Sequence, residues 1–331
     1  MTEKDKYRLF CRQETSIPVF LRDWWLDITC GQSNWDVLLI EQKGQICASM
    51  PLFIPLKGII SMPPHTQVMG IWFRSFSTGS KQLTKQALCQ EYCKKLIGRL
   101  PKHSSYCQNF HHSFTDWLPF YWNNFKQTTR YTYVLDNIHD ETSLWQNMSQ
   151  GMRRNITKAK NRNKIKIERG IPTNDFLDVY QQTFKRQKIK TLGDLRVLSE
   201  LIAESRRRGQ GEVWGGYDAD GNLHAAAFIV WQKSGAWYIA GGGNPQLRHS
   251  GAHSLVLWEC IKHVAQFTDH FDFEGSMIPG VEHFFRAFGA KQLPYFQITD
   301  GKFSLYHRAL IFLKKQTSRF LNKNSIHGRR N

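Results

Sequence analysis

The residues best spaced for chemistry lie in one stretch, Trp237-Tyr-Ile-Ala-Gly-Gly-Gly-Asn-Pro-Gln-Leu-Arg248-His-Ser-Gly251-Ala252-His253, which runs on into an apolar helical pattern. A strand that ends in three glycines, a short polar turn and a helix opening at Gly251-Ala252 bring backbone N–H groups to a helix start. Small residues there let an anion approach closely. Arg248 adds positive charge, so the segment reads as an anion site. The competing reading is a plain strand-to-helix connection with glycines for geometry. Neither nucleotide fingerprint is present: 241–246 is not G-x-G-x-x-G, and no G-x-x-x-x-G-K-[ST] lies nearby. Glu274-Gly275-Ser276 does not complete a G-x-S-x-G elbow, which excludes the α/β-hydrolase arrangement. Cys89, Cys93, Cys107, His111 and His112 match no zinc spacing, so no metal is expected.

The elements that must position this stretch recur along the chain. Residues 35–64 read as a strand, a turn at Lys43-Gly44, a second strand and a third. Residues 212–243 repeat the plan, with a strand to about Tyr217, a turn at Asp220-Gly221 and a strand through Leu223 to Val230. Asp-Gly between alternating strands is a strong hairpin signal. Each meander leads to a helix, near 81–98 and 252–267, and each helix to a short strand, Ser105–Phe110 and His270–Glu274. The pattern predicts a tandem duplication with superposable halves. Between them, Asp140 or Thr142 caps a helix predicted to run through Trp145, Met148, Met152 and Ile156, with a strand following at Lys164–Glu168.

The length of 331 residues exceeds the size at which single cores stop growing, so two domains are expected. No run is long enough and apolar enough to span a bilayer. Met1 to Arg12 is charged throughout, without an apolar signal core. Seven cysteines form no disulfide framework, and the odd count argues against full pairing, which fits a reducing cytoplasm. The net charge of +18 is concentrated: residues 151–170 carry eight basic residues and one acid, residues 184–210 eight and three, and residues 302–331 eight and none. That concentration suits a polyanionic partner such as a nucleotide cofactor, tRNA or an anionic lipid surface. No recognition motif for DNA accompanies the charge, and DNA is not expected as a partner. From Phe303 to about Leu321, Tyr306, Leu310, Leu313 and Phe320 form one stripe. That stripe predicts a basic amphipathic C-terminal helix that docks on the protein body or makes peripheral membrane contact.

Three segments together carry a resemblance. They are Arg153-Arg154-Asn155-Ile156-Thr157-Lys158-Ala159-Lys160 with the strand after it, Arg248-His-Ser-Gly251-Ala252-His253, and Asp272-Phe273-Glu274-Gly275-Ser276 followed by Gly280-Val-Glu-His-Phe284-Phe285-Arg286-Ala-Phe288-Gly289. In this order they resemble GNAT-type acyltransferases related to the Fem peptidoglycan ligases. The resemblance covers roughly 140–300, and the first half joins it through the repeat. It implies an α/β fold with mixed sheets: two tandem GNAT-like domains over 1–140 and 141–302, followed by the C-terminal helix and tail, 303–331. It also implies that the [QR]-x-x-G-x-[GA] signature, which holds acyl-CoA pyrophosphate, falls on Arg248, Gly251, Ala252 and His253. His253 stands where the signature has Gly or Ala. Phe284-Phe285 stands where Fem ligases usually show Phe-Lys.

Acyl transfer to an amine needs a bound donor, a route for the amine's proton and hydrogen-bond donors for the oxyanion. Glu274, at the end of its strand, is the best-placed carboxylate to take that proton; its other use is to organise the Gly275-Ser276 turn. Tyr238 and Tyr295 are possible acids, with buried aromatic packing as the alternative. The expected activity is N-acyl transfer from acyl-CoA to an amine on a sugar or cell-envelope precursor. A Fem-type ligase using charged tRNA is one alternative, and a non-catalytic polyanion-binding protein of the same fold is another.

Overall fold

A computed structural model of the chain describes residues 1–76, 79, 81–186 and 195–301. The C-terminal helix and tail expected over 303–331, and part of the 184–210 basic segment, lie outside the described residues.

The first half opens with α1 (Glu3–Gln13) and α2 (Asp23–Cys30), then the meander β1 (Trp35–Gln42), β2 (Gln45–Leu56) and β3 (Ile59–Ser61). A short β4 (Trp72–Phe73) pairs with β2; α3 (Gln82–Gly98), β5 (Ser105–Asn109), α4 (Leu118–Trp122) and β6 (Lys126–Asp136) follow. The second half has α5 (Glu141–Asn147), α6 (Gln150–Thr157), β7 (Lys166–Arg169), α7 (Thr173–Arg186) and α8 (Leu195–Arg207). Its meander is β8 (Gly211–Tyr217), β9 (Leu223–Gln232) and β10 (Gly235–Gly243). Then come α9 (Ala252–Val264), β11 (His270–Asp272), α10 (Pro279–Arg286) and β12 (Lys291–Gly301).

The segments 35–110 and 212–275 share one strand order. In the first, β1-β2-β3 is antiparallel throughout and β3 pairs parallel with β5; in the second, β8-β9-β10 is antiparallel and β10 pairs parallel with β11. The helices between the parallel partners, α3 and α9, start within one residue of the expected position. The hairpin signals hold because Gly44 and Gly221 sit at φ of +75° and +80°, where a side chain is strained.

What joins the halves is an exchange of strands. The strand after β5, β6, pairs not with β5 but with β11, from Val134 opposite Asp272 to Asp136 opposite His270. The strand after β11, β12, pairs with β5, from Gln297 opposite Asn109 to Gly301 opposite Ser105. The two exchanged strands lie antiparallel to each other, Lys291 opposite Val134 through Thr299 opposite Lys126. One sheet therefore crosses the whole molecule in the order β1-β2-β3-β5-β12-β6-β11-β10-β9-β8-β7.

In the second half, β9 is the middle layer. Ala226, Phe228 and Val230 face a core with Phe176 of α7 and Leu198 of α8, while Ala225, Ala227, Ile229 and Trp231 face one with Val256 and Ile261 of α9. This is the two-residue alternation of a strand covered on both faces. The helix expected through Trp145 and Ile156 is broken in two. Met148 turns extended (φ −62°, ψ 147°), and Ser149 restarts the helix as its N-cap, its hydroxyl accepting from Met152 N at 3.1 Å. Ser149 N–H is held by the Ala287 carbonyl at 2.9 Å, a tertiary bond that local periodicity cannot reveal. Among the described residues no helix is long and apolar enough to cross a membrane.

Candidate active site

The 248–253 segment forms one tight turn, Arg248–Ser250, and then opens α9 from Gly251, which sits in the left-handed region at φ +81°. A Cβ on Gly251 would lie 2.4 Å from the Asn155 carbonyl oxygen, so glycine is required here by close approach as well as by conformation. The loop is held against the basic segment: Lys158 Nζ donates to the His249 carbonyl at 2.8 Å, and Asn163 Nδ2 to the Ser250 carbonyl at 2.8 Å. Arg154, Lys158, Lys160, Arg162 and Arg248 are all exposed, and this side of the molecule carries concentrated positive charge. Ala252 is buried, and its N–H donates to Ser250 Oγ at 3.2 Å.

His253 turns the other way. Its Nε2 hydrogen-bonds the Tyr238 hydroxyl at 3.1 Å, and its ring centroid lies 5.3 Å from that of Phe284. Burial pushes its pKa down to about 4, so the imidazole is neutral. The three glycines before the loop also have packing roles. A Cβ on Gly241 would meet the Tyr238 hydroxyl at 2.2 Å, and one on Gly242 would meet Thr183 Oγ1 at 2.6 Å, where α7 crosses β10. Phe285 is core, stacked on Phe273 at 5.1 Å, and Arg286 pairs with Glu282 on the surface at 2.7 Å.

Glu274 lies two residues past β11, at φ +61°, a left-handed conformation uncommon for a residue with a side chain. Three contacts hold it there. Its N–H donates to Asp272 Oδ1 at 2.7 Å; its carbonyl accepts from Gln67 Nε2; and Gly275 passes so near β6 that a Cβ would lie 2.1 Å from the Tyr131 carbonyl oxygen. Asp272, rather than Glu274, organises the turn, with Oδ1 also accepting from the Thr132 hydroxyl. The Glu274 carboxyl is thus left for other use. The residue as a whole is half-buried, yet Oε1 is closed to solvent and has no hydrogen-bond partner among the described residues. Burial first, and the neighbouring Asp272 carboxylate second, hold its pKa well above the usual range. Burial pushes Asp272 up to about 6, against the pull of Thr132 and the Glu274 N–H.

Sequence reasoning therefore named one carboxyl of a buried pair. The spacing of Asp272 and Glu274 on an extended segment, two residues apart and so on one face, is the signal that could have found the other. Gln67 left no such signal: it comes from the first half, 207 residues away, and is positioned by Asn109 Nδ2 donating to its carbonyl at 2.9 Å. Tyr295 on β12 is buried near Gln67 and Arg130. Arg248 lies in the loop after β10 and Glu274 in the turn after β11, the parallel neighbour with which β10 pairs at Ala236 and Trp237.

Residues 146–286 match the family described as Acetyltransferase (GNAT) domain. The fold is similar to that of FemX (TM-score 0.65, 12% identity, 89% of this chain and 96% of that one). It is also similar to L-PGS from Bacillus licheniformis (TM-score 0.52, 10% identity, 94% and 96%). A third likeness is to the C-terminal domain of a putative lysylphosphatidylglycerol synthetase from Agrobacterium fabrum (TM-score 0.53, 10% identity, 91% and 92%). No curated protein sequence matches the chain.

Proposed function

We propose, from the match of residues 146–286 to the GNAT acetyltransferase family and the likeness of the fold to that of FemX, that the chain is an acyltransferase that moves an acyl group from acyl-CoA to an amine on a sugar or cell-envelope precursor. On this reading 1–140 and 141–302 are the two GNAT-like domains, and the second holds the donor. The observation that carries the reading is the Glu274 carboxyl, whose Oε1 is closed to solvent and has no partner among the described residues, in the turn after β11, while the neighbouring strand β10 leads into a cationic loop at a helix start. Arg248 and the backbone around Gly251 and Ala252 take the pyrophosphate, and the inward-turned His253 leaves its ring out of that contact. The amine nitrogen attacks the thioester carbonyl. A C–N bond forms, the C–S bond breaks, the amine proton passes to the Glu274 carboxylate, and the thiolate leaves and is protonated.

A second reading has the charged tRNA of a Fem-type ligase as donor. It is favoured by the exposed cations Arg154, Lys158, Lys160 and Arg162, of which Lys158 bonds directly to the donor loop. Thermal shifts with a panel of acyl-CoA thioesters and with charged tRNA separate the two. A melting temperature that rises with an acyl-CoA supports the first reading, a rise with charged tRNA alone supports the second, and a rise with neither removes both.

A further inference from the structure

In the first half, α3 is the helix that corresponds to α9. A cavity of about 640 Å³ lies between the N-terminal part of α3, β4 and the 111–116 turn after β5. It is away from the 248–253 loop, and its volume falls in the usual range for ligand pockets, about 300–1,000 Å³. We propose that this cavity is a saccharide-binding site, and that it holds the sugar part of the acceptor. The second clause rests on the activity proposed above; the first does not.

The lining selects the ligand class. One wall is aromatic, formed by Trp72, Phe73, Phe76, Phe114 and Trp237. Phe73 and Phe114 lie parallel within 4°, with centroids 6.4 Å apart, and the electron-rich faces of such rings suit the C–H faces of a sugar. The lining also has a polar part that is already ordered. Gln86 and Gln90 donate from Nε2 to Asp116 Oδ2 at 3.3 and 2.7 Å, while Asp116 Oδ1 accepts from Leu118 N at 3.1 Å. With one N–H of each glutamine committed to Asp116, the side chains offer a second N–H and a carbonyl oxygen, the complement of hydroxyls that both accept and donate.

Other classes fit worse. An acyl chain would strip water from Gln82, Gln86, Gln90 and Asp116 without replacing their hydrogen bonds, a cost of the kind that excludes apolar ligands from polar walls. A polyphosphate would meet one lysine, Lys85, with Asp116 beside it. Two walls lead toward the carboxyl pair. Val68 and Met69 directly follow Gln67, which bonds Glu274, and Trp237 lies in register with Asp272 on the neighbouring strand.

Cys89 lines the cavity, is half-buried and is a free thiol, whereas Cys47 and Cys107, also half-buried and free, do not line it. This gives an assay with internal controls that involves no turnover. The full chain is labelled with N-ethylmaleimide, with and without N,N′-diacetylchitobiose, a sugar with no free amine to acylate, and each cysteine is followed by peptide mass. At a concentration about ten times Kd the sugar should slow labelling of Cys89 about tenfold by occupancy, with Cys47 and Cys107 unchanged. The exposed Gln86→Ala should lose protection while keeping the wild-type melting temperature; Phe73→Ala, whose ring packs against the first-half core, should lower that temperature and also lose protection, assayed where the variant is folded. Protection by palmitate or coenzyme A in place of the sugar overturns the proposal, as does no protection by the sugar. Protection of Cys89 combined with failure of every acyl donor to acylate the glucosamine disaccharide would leave the saccharide site standing and remove the acceptor assignment alone.

Discussion

The two halves use one strand order and end their parallel strands differently. Asn109 ends β5 and Asp272 ends β11; two residues further on stand His111 and Glu274. In the first half this end carries no acid: Asn109 Nδ2 donates to the Gln67 backbone carbonyl, its Oδ1 accepts from Gln297 Nε2, and burial pushes His111 down to about 3, a neutral ring. In the second half it is a pair of buried acids. The helices between the strands differ likewise. α9 is buried along nearly its whole length, and the 249–251 loop before it is held by Asn155, Lys158 and Asn163. α3 buries four residues, all in its second half, and its first turns border the cavity. Sequence and packing at equivalent positions have diverged while topology has not, which separates what a fold requires from what a site requires.

The largest test of that contrast is Glu274→Gln, which keeps shape and removes the carboxylate. Transfer should fall about 10²–10⁴-fold, measured by single turnover, with donor affinity little changed. Because burial and Asp272 raise the Glu274 pKa, the wild-type rate should climb as pH rises past the usual carboxylate range, and the variant should lose that climb. Unchanged transfer in a folded variant would make the acid pair structural, like its counterpart in the first half.

Gln67→Ala tests whether the first half positions the second. Without the bond to its carbonyl, Glu274 is free to leave its left-handed conformation, and kcat should drop by about 10²-fold with KM for the donor unchanged. Equal kcat would mean that the Asp272 bond and the Gly275 approach suffice. Arg248→Glu should weaken a pyrophosphate-bearing donor about tenfold by titration, since Arg248 is exposed and backbone donors remain. Equal affinity would reduce the loop to a connection.

A pH test reads the acid pair through stability. Both folded-state pKa values are raised, so the neutral forms are the ones the fold favours. The Asp272 contribution is fully present below about pH 4 and is lost as pH rises through about 6. Asp272→Asn should therefore flatten that part of the urea stability profile. The smallest effect compares the matched hairpins. Gly44→Ala and Gly221→Ala should cost about 1 kcal/mol each in urea unfolding, since both have positive φ and an added Cβ meets nothing within 4 Å. A marked inequality would mean the two turns are not equivalent.

By itself the sequence determined the local elements and the duplication. Hairpin glycines, strand alternation and helix spacing act over a few residues, and Gly44, Gly221, α3 and α9 lie where those signals put them. It also placed Glu274 and the Arg248–His253 loop in one half, through a motif whose order survives in the chain. Tertiary structure alone decided the rest. The break at Met148-Ser149 depends on the Ala287 carbonyl, the reach of Gln67 to Glu274 crosses 207 positions, and β6 and β12 choose partners in the opposite half. The physical reason is common to all three. A strand edge or an amide accepts any complementary backbone, so which partner it meets is settled by how the cores on both faces of the sheet pack, and that leaves no period along the chain.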